Sequence, residues 1–162
     1  MAHVAQLNIA RFNQPLDSPE MKGFMDGLGP VNALADGSPG FVWRLVGEEG
    51  LGATDLRGPF GDDVIVNMSV WESVEALREF TYHSGHLDYL RRRREWLHHA
   101  GIDAHLVLWW VPEGHVPTLD EAAERLAHLV AHGPTGYAFT LRTVVPADTV
   151  ELTGTGTVAP LP

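Results

Sequence analysis

The sequence predicts an α+β fold: a ferredoxin-like antiparallel sheet with helices on one face, paired across its other face with a second copy as a dimeric α+β barrel. Three observations lead there. A chain of 162 residues suits one domain with a core of its own. Apolar spacing gives the order strand, helix, strand, strand, helices, strand, with one further helix appended. The first, third and fourth strands are apolar on both faces, whereas an antiparallel sheet normally needs one covered face. Helices cover one side, and a two-fold mate is the favoured cover for the other. The alternative cover is the C-terminal helix of the same chain.

Each element has its own signature. His3 to Phe12 alternates as a strand, with Ala5, Leu7 and Ile9 on one face and Val4, Gln6, Asn8, Ala10 and Phe12 on the other. Ser18 and Pro19 open a helix with Met21, Phe24, Met25 and Leu28 as its buried stripe. Gly29-Pro30 should interrupt that helix before a short continuation to Ala35. Asp36 to Gly40 reads as a turn. The second strand starts at Phe41, with Phe41, Trp43 and Leu45 opposite Val42, Arg44 and Val46. A Gly-rich connection from Glu48 to Gly61 reads as a surface loop. The third strand sets Ile65, Asn67, Ser69 and Trp71 against Val64, Val66, Met68 and Val70.

Ser73 caps the next helix, which turns Val74, Leu77 and Phe80 or Thr81 inward and stops at Ser84-Gly85. A helix from His86 carries four consecutive arginines and ends at Gly101 to Asp103. The fourth strand spans Ala104 to Pro112 and is almost wholly apolar. Pro112 and Pro117 then constrain a loop that holds His115. Thr118 and Glu121 have capping-box spacing and open the last helix, whose apolar side is Leu119, Ala122, Ala123, Leu126, Leu129 and Val130. Tyr137 to Leu141 is a short strand or docked segment. The domain therefore spans residues 1–142, and 143–162 reads as a flexible tail of Pro, Thr, Gly and Ala without period.

Composition excludes several classes. A formal charge of −10 repels nucleic acid and anionic membrane, and the four arginines splay around their helix instead of forming one phosphate-tracking patch. No apolar run approaches the roughly 18 residues of a membrane span. Nothing at the N-terminus resembles a signal peptide, so a cytoplasmic location is expected. With no cysteine there is no thiolate nucleophile or thiolate-bound metal. Nine histidines is a high count, yet no His, Asp and Glu spacing completes a metal site. No metal is expected. No cofactor is expected either, a haem on a single axial histidine, His86 or His115, being the alternative.

The most informative stretch is Tyr82 to Trp96. On a helix advancing about 100° per residue, Leu87, Tyr89, Leu90, Trp96 and Leu97 share a side. His86 and Arg93 fall within that apolar arc. A basic group there needs a partner or a wet cavity. His86 and His115 are the candidate acid/base groups, since imidazole titrates near neutrality, and Arg93 is the candidate anion anchor. Gln6, Asn8, Asn67 and Ser69, with Arg44 beside them, interrupt apolar strand faces. With Trp71, Tyr82, Trp96 and Trp110 they form a mostly aromatic pocket with convergent polar groups, as small-molecule sites have. A functionless polar network that satisfies buried amides is the structural alternative.

The strings HVAQLNIARF, GPVNALADGSPGFVWRL, VNMSVWESVEALREFTYHSGH, RRRREW and HLVLWWVPEGHVPTLDEAAERLAHLVAHGPT resemble a bacterial family of unknown function, DUF3291, over about His3 to Arg142. That family is similar to the dimeric α+β barrel group that includes antibiotic-biosynthesis-type monooxygenases. The resemblance implies the barrel, with ligands between sheet and helices, and no particular reaction, because this barrel hosts many. The expected function is thus a small-molecule enzyme, monooxygenase-like, isomerase, cyclase or lyase, with His-based acid/base chemistry. The alternative is a non-catalytic carrier of a hydrophobic metabolite or of haem.

Overall fold

The computed structural model describes residues 1–47, 58–84 and 86–152, without the side chain of residue 86. Its sheet is built on β1 (Ala2–Phe12), which pairs antiparallel with β3 (Val64–Trp71) along one edge. Its other edge takes β5 (Leu106–Pro112) and then the two-residue β4 (Leu97–His98). β2 (Phe41–Arg44) completes the order outside β3, giving the ferredoxin-like arrangement expected from the pattern. Phe139 adds a single bridge on the outer edge of β5, with both backbone bonds to Leu108 at 2.8 Å.

The two faces are covered differently. On one, Ala5, Leu7, Ile9, Val66, Met68, Val107 and Trp109 pack under Ala122, Leu126 and Leu129 of α4 (Leu119–His132). Leu126 and Leu129 each contribute about 2 kcal/mol by leaving water. This face is buried within the single chain, so the reason given for a second copy disappears: the appended helix covers it. On the other face, Val4, Trp71, Leu108, Trp110 and Phe139 pack with α2 (Val74–His83). Ser73 caps α2, its Oγ accepting from Ala76 N at 3.1 Å. Residues 143–152, expected to be loose, return to this face, where Val144, Val145, Val150 and Leu152 join the cluster. Residues 153–162 lie outside the described residues, as does most of the Gly-rich connection.

Several local expectations are corrected. α1 runs unbroken from Lys22 to Asp36 through Gly29-Pro30, preceded by a 3₁₀ turn at Pro19–Met21. Its face toward the sheet holds the helix across the one backbone bond that Pro30 removes. Ser18 does not cap; its hydroxyl donates to the Pro15 carbonyl. In β2 a bulge between Phe41 and Trp43 reverses the alternation. Phe41 joins the Trp71 side, while Trp43 and Leu45 pack on the α4 side. The turn before it requires glycine: Gly40 has φ +81°, and a Cβ there would stand 2.5 Å from Ala76 Cβ.

The arginine helix is the largest correction. α3 covers His86–Arg92, and the chain then tightens into a 3₁₀ turn at Arg93–Glu95. Leu97 and His98, expected in the helix, instead form β4 against Phe12 and Arg11. Asn13 N donates to Trp96 O at 2.8 Å, so β1 captures the backbone that a longer helix would have used.

Candidate functional site

The site is built on the two central strands. Register sets Gln6 opposite Ser69 and Asn8 opposite Asn67, and the pleat puts all four on the face away from α4. Gln6 Nε2 donates to Asn67 Oδ1 and to Ser69 Oγ, both at 2.8 Å. Asn8 Nδ2 donates to Gln6 Oε1 at 3.1 Å and, at 3.4 Å, to Asn67 Oδ1. Trp71 Nε1 donates to Ser69 Oγ at 2.9 Å. Gln6 and Ser69 are buried, whereas Asn8 and Asn67 are exposed. Side chains in the middle of a sheet reach solvent only where no helix covers them. The amide floor, the cleft on the face away from α4, is therefore open to solvent.

The network leaves specific atoms unused. Asn67 Nδ2 and Asn8 Oδ1 have no partner among the described residues, and Ser69 Oγ accepts two bonds while keeping its own proton to give. The floor thus offers an amide donor, a hydroxyl donor and a carbonyl acceptor, all neutral. That set suits a carbonyl, phenol or enolate oxygen.

Aromatic residues frame this floor unevenly. Trp71 is buried, stacked on Phe80 at 5.1 Å and meeting Phe41 edge-on at 5.4 Å. Trp110 lies at the far end of the face, opposite Val4, with Nε1 donating to Val145 O at 2.7 Å. Trp96 is buried against Phe24 and Tyr89, under the Arg92 guanidinium at 4.8 Å. It ties the end of α3 to α1. Tyr82 is exposed. Arg44 is registered against Ser69 on the cleft face. Its Nε and Nη2 donate to Asp36 at 2.7 and 3.3 Å, pinning the end of α1 to β2, and its Nη1 is buried without a partner.

The expected acid/base set does not converge on this cleft. His115 Nε2 is 2.8 Å from Glu121 Oε2, and Glu121 Oε1 accepts from Trp109 Nε1 at 2.9 Å. Trp109 belongs to the α4 face, so His115 lies on the opposite side of the sheet from the asparagines. A haem in the cleft could not use it as an axial ligand. Arg93 is turned outward by the 3₁₀ turn and donates Nη1 to Leu90 O at 2.9 Å. His86 opens α3, but its side chain lies outside the described residues.

Other polar residues were not anticipated. Arg125 is buried in α4, over the Tyr137 ring at 3.8 Å, and donates to Tyr137 O. Desolvation lowers its pKa, against the opposing charges of Tyr137, Glu121 and Glu124. In the sequence it lies about 40° beyond the edge of the apolar stripe, past Leu129, at about 100° per residue, so spacing alone gives no signal for its burial. His99 and His105 stack at 4.2 Å. A second depression of about 400 Å³ lies on the α4 face, lined mainly by Ile9, Phe60, Val64, Ile102, Leu126 and Val130. Among the described residues no group of three His, Asp or Glu side chains could hold a metal ion, and no helix is long and apolar enough to cross a membrane.

The family model described as "Domain of unknown function (DUF3291)" matches residues 3–154. The chain belongs to this family. No curated protein matches this DUF3291 chain. It is similar to solved structures that include SnoaB, a cofactor-independent oxygenase from Streptomyces nogalater, at 19% identity and a TM-score of 0.48, over 74% of this chain and 98% of that one. A Chloroflexus aurantiacus J-10-fl protein, provisionally designated an antibiotic biosynthesis monooxygenase, aligns at 16% identity and a TM-score of 0.45, over 70% of this chain and 97% of that one.

Proposed function

We propose that this DUF3291 protein is a small-molecule enzyme that holds an aromatic or carbonyl-containing substrate in the cleft, its oxygen seated on Asn67 and Ser69. The observation that carries this reading is the exposure of Asn8 and Asn67 in the two central strands. A fold under no demand but stability would bury apolar side chains there. In proton abstraction beside a carbonyl, a base takes the proton, the electron pair moves to the carbonyl oxygen, and neutral donors hold the oxyanion. Asn67 Nδ2 and Ser69 Oγ are those donors, Asn8 Oδ1 accepts a substrate hydroxyl, and Gln6 fixes all three. His86 is the proposed base. A monooxygenase-like reaction, an isomerisation or cyclisation, and a lyase reaction all begin with this step.

The test is a thermal-shift screen of aromatic and carbonyl compounds against wild type and Asn67→Ala, followed by turnover of the binders. Loss of one oxyanion donor should lower kcat by about 10²–10³-fold. Compounds that stabilise both proteins equally would refute the site. The amide floor holds no titratable side chain among its hydrogen-bonded members, which favours a second reading, a non-catalytic carrier. His86→Ala separates them: abolished turnover with affinity kept marks an enzyme, and no turnover by wild type of any bound compound marks a carrier.

A further inference from the structure

His99, just past β4, and His105, just before β5, lie side by side, with Arg93 of the 3₁₀ turn near them and no carboxylate bearing on either ring. The imidazoles of His99 and His105 stack with centroids 4.2 Å apart and planes 22° from parallel. Arg93 lies close enough for its charge to bear on both rings. Its Nη1 donates to its own turn's Leu90 carbonyl, and no acidic side chain pairs with it among the described residues.

The carboxylates of Glu95 and Asp63 are engaged elsewhere. Glu95, in the same 3₁₀ turn, pairs with Arg92 at 3.0 Å. Asp63 pairs with Arg11 at 2.8 Å, and the charge of His98 bears on Asp63 from β4. Arg94 adds a further positive charge to the turn, and its backbone carbonyl receives Asn13 Nδ2. Asp103 precedes His105 in the chain, yet no carboxylate offsets the burial and like charge that lower the pKa of both imidazoles. In a chain of formal charge −10 with 21 acidic residues, such a cluster is an exception to the surrounding field.

We propose that Arg93, His99 and His105 form an anion-binding site that takes the phosphate or carboxylate group of a small molecule. A guanidinium offers a bidentate fork to such oxygens and each imidazolium an N–H donor. A cation is disfavoured, because imidazole lone pairs would have to hold it beside the fixed charge of Arg93. The site is separate from the amide floor and does not depend on the reading given to it. His105 nevertheless directly precedes Leu106, which is registered against Asn8. The bound group is therefore either a free anion or the acidic end of a molecule that also enters the cleft.

The test is NMR of the histidine ring protons, assigned with His99→Gln and His105→Gln variants, during titration with inorganic phosphate or with 4-hydroxybenzoate at constant ionic strength. Saturable shifts at His99 and His105, with their apparent pKa values raised by ~0.5–1 unit and the other histidines unmoved, are expected. Arg93→Gln should weaken that response tenfold or more. Preference for phosphate, unchanged in Asn67→Ala, identifies a free anion; preference for 4-hydroxybenzoate, lost in Asn67→Ala, identifies the acidic end of a cleft ligand. Linear shifts shared by all histidines, or the same affinity in Arg93→Gln, would overturn the proposal. Far-UV circular dichroism confirms that each variant folds, which the exposure of all three residues leads one to expect.

Discussion

Gly27 is the point where α1 meets α3, and its replacement by alanine gives a sharp test of the packing over the cleft. A Cβ at position 27 would stand 2.1 Å from Tyr89 Cε1, 2.7 Å from Cζ and 2.8 Å from Cδ1. Three ring atoms inside contact distance cannot be relieved by a small rotation, so Tyr89 must leave its place beside Trp96. Overpacking of this kind costs about 1–3 kcal/mol. Against it, alanine in a helix interior gains up to about 1 kcal/mol over glycine. A Cβ 2.1 Å from a ring atom puts the overpacking cost at the upper end of its range, so the net expectation for Gly27→Ala is a loss of about 2 kcal/mol, or roughly 4–8 °C in Tm for a domain of this size. In a Tyr89→Ala background the clash is gone and the same substitution should stabilise, by up to about 1 kcal/mol. Urea unfolding of the four proteins in the cycle reads this sign change directly. A neutral or stabilising Gly27→Ala in the wild-type background would refute the placement of Tyr89, as would an equal cost in both backgrounds.

Two predictions concern pH. Hydrogen bonding to Arg11 holds the Asp63 carboxyl below its ordinary value, so the pair's stabilisation is present above the unfolded carboxyl pKa of about 3.9 and is lost as pH falls through the lower folded value. The stability difference between wild type and Asp63→Asn should therefore shrink progressively as pH falls below about 3.9 and shrink in ~1 M salt; a difference that does not fall with pH would contradict the pairing. His99, His105 and His128 are all shifted downward, burial being the first cause for each. Their contribution is full above the unfolded imidazole value of about 6.5 and is lost as pH falls through the lower folded values. His128 packs on Tyr137 at 4.7 Å, so His128→Gln should flatten the fall in unfolding free energy on that acid side, and an unchanged slope would count against its desolvation.

The long strands β1, β3 and β5 and their faces are legible because period-two alternation is a local signal that packing had no reason to override there, whereas the bulge in β2 reverses its faces. Gln6, Asn8, Asn67 and Ser69 could be grouped from that alternation alone, since residues that share a face of paired central strands must meet once register is set. Ser73 and Thr118 likewise marked helix starts, because a cap is satisfied by backbone amides within three residues. What failed was long-range. Arg93 falls in a buried arc only on one continuous helix, but β1 takes the backbone after Glu95 into a strand pair, and the shift from α to 3₁₀ winding leaves Arg93 exposed. His115 is an acid/base candidate by residue type alone, and the hydrogen bond from Trp109 to Glu121 holds it on the far face.

By itself, then, the sequence determined the long strands β1, β3 and β5, the face that each of their side chains takes, and that polar groups interrupt one of those faces. Tertiary structure decided that α4 closes the other face, that the asparagine floor stands open while Trp96 and Trp110 are packed away, and that His99 stacks on His105 near Arg93. The division has a physical cause. Periodicity and caps act over a few residues, whereas the covering of a sheet and the meeting of charges from three elements depend on strand order and on competition for backbone hydrogen bonds between segments up to about a hundred residues apart.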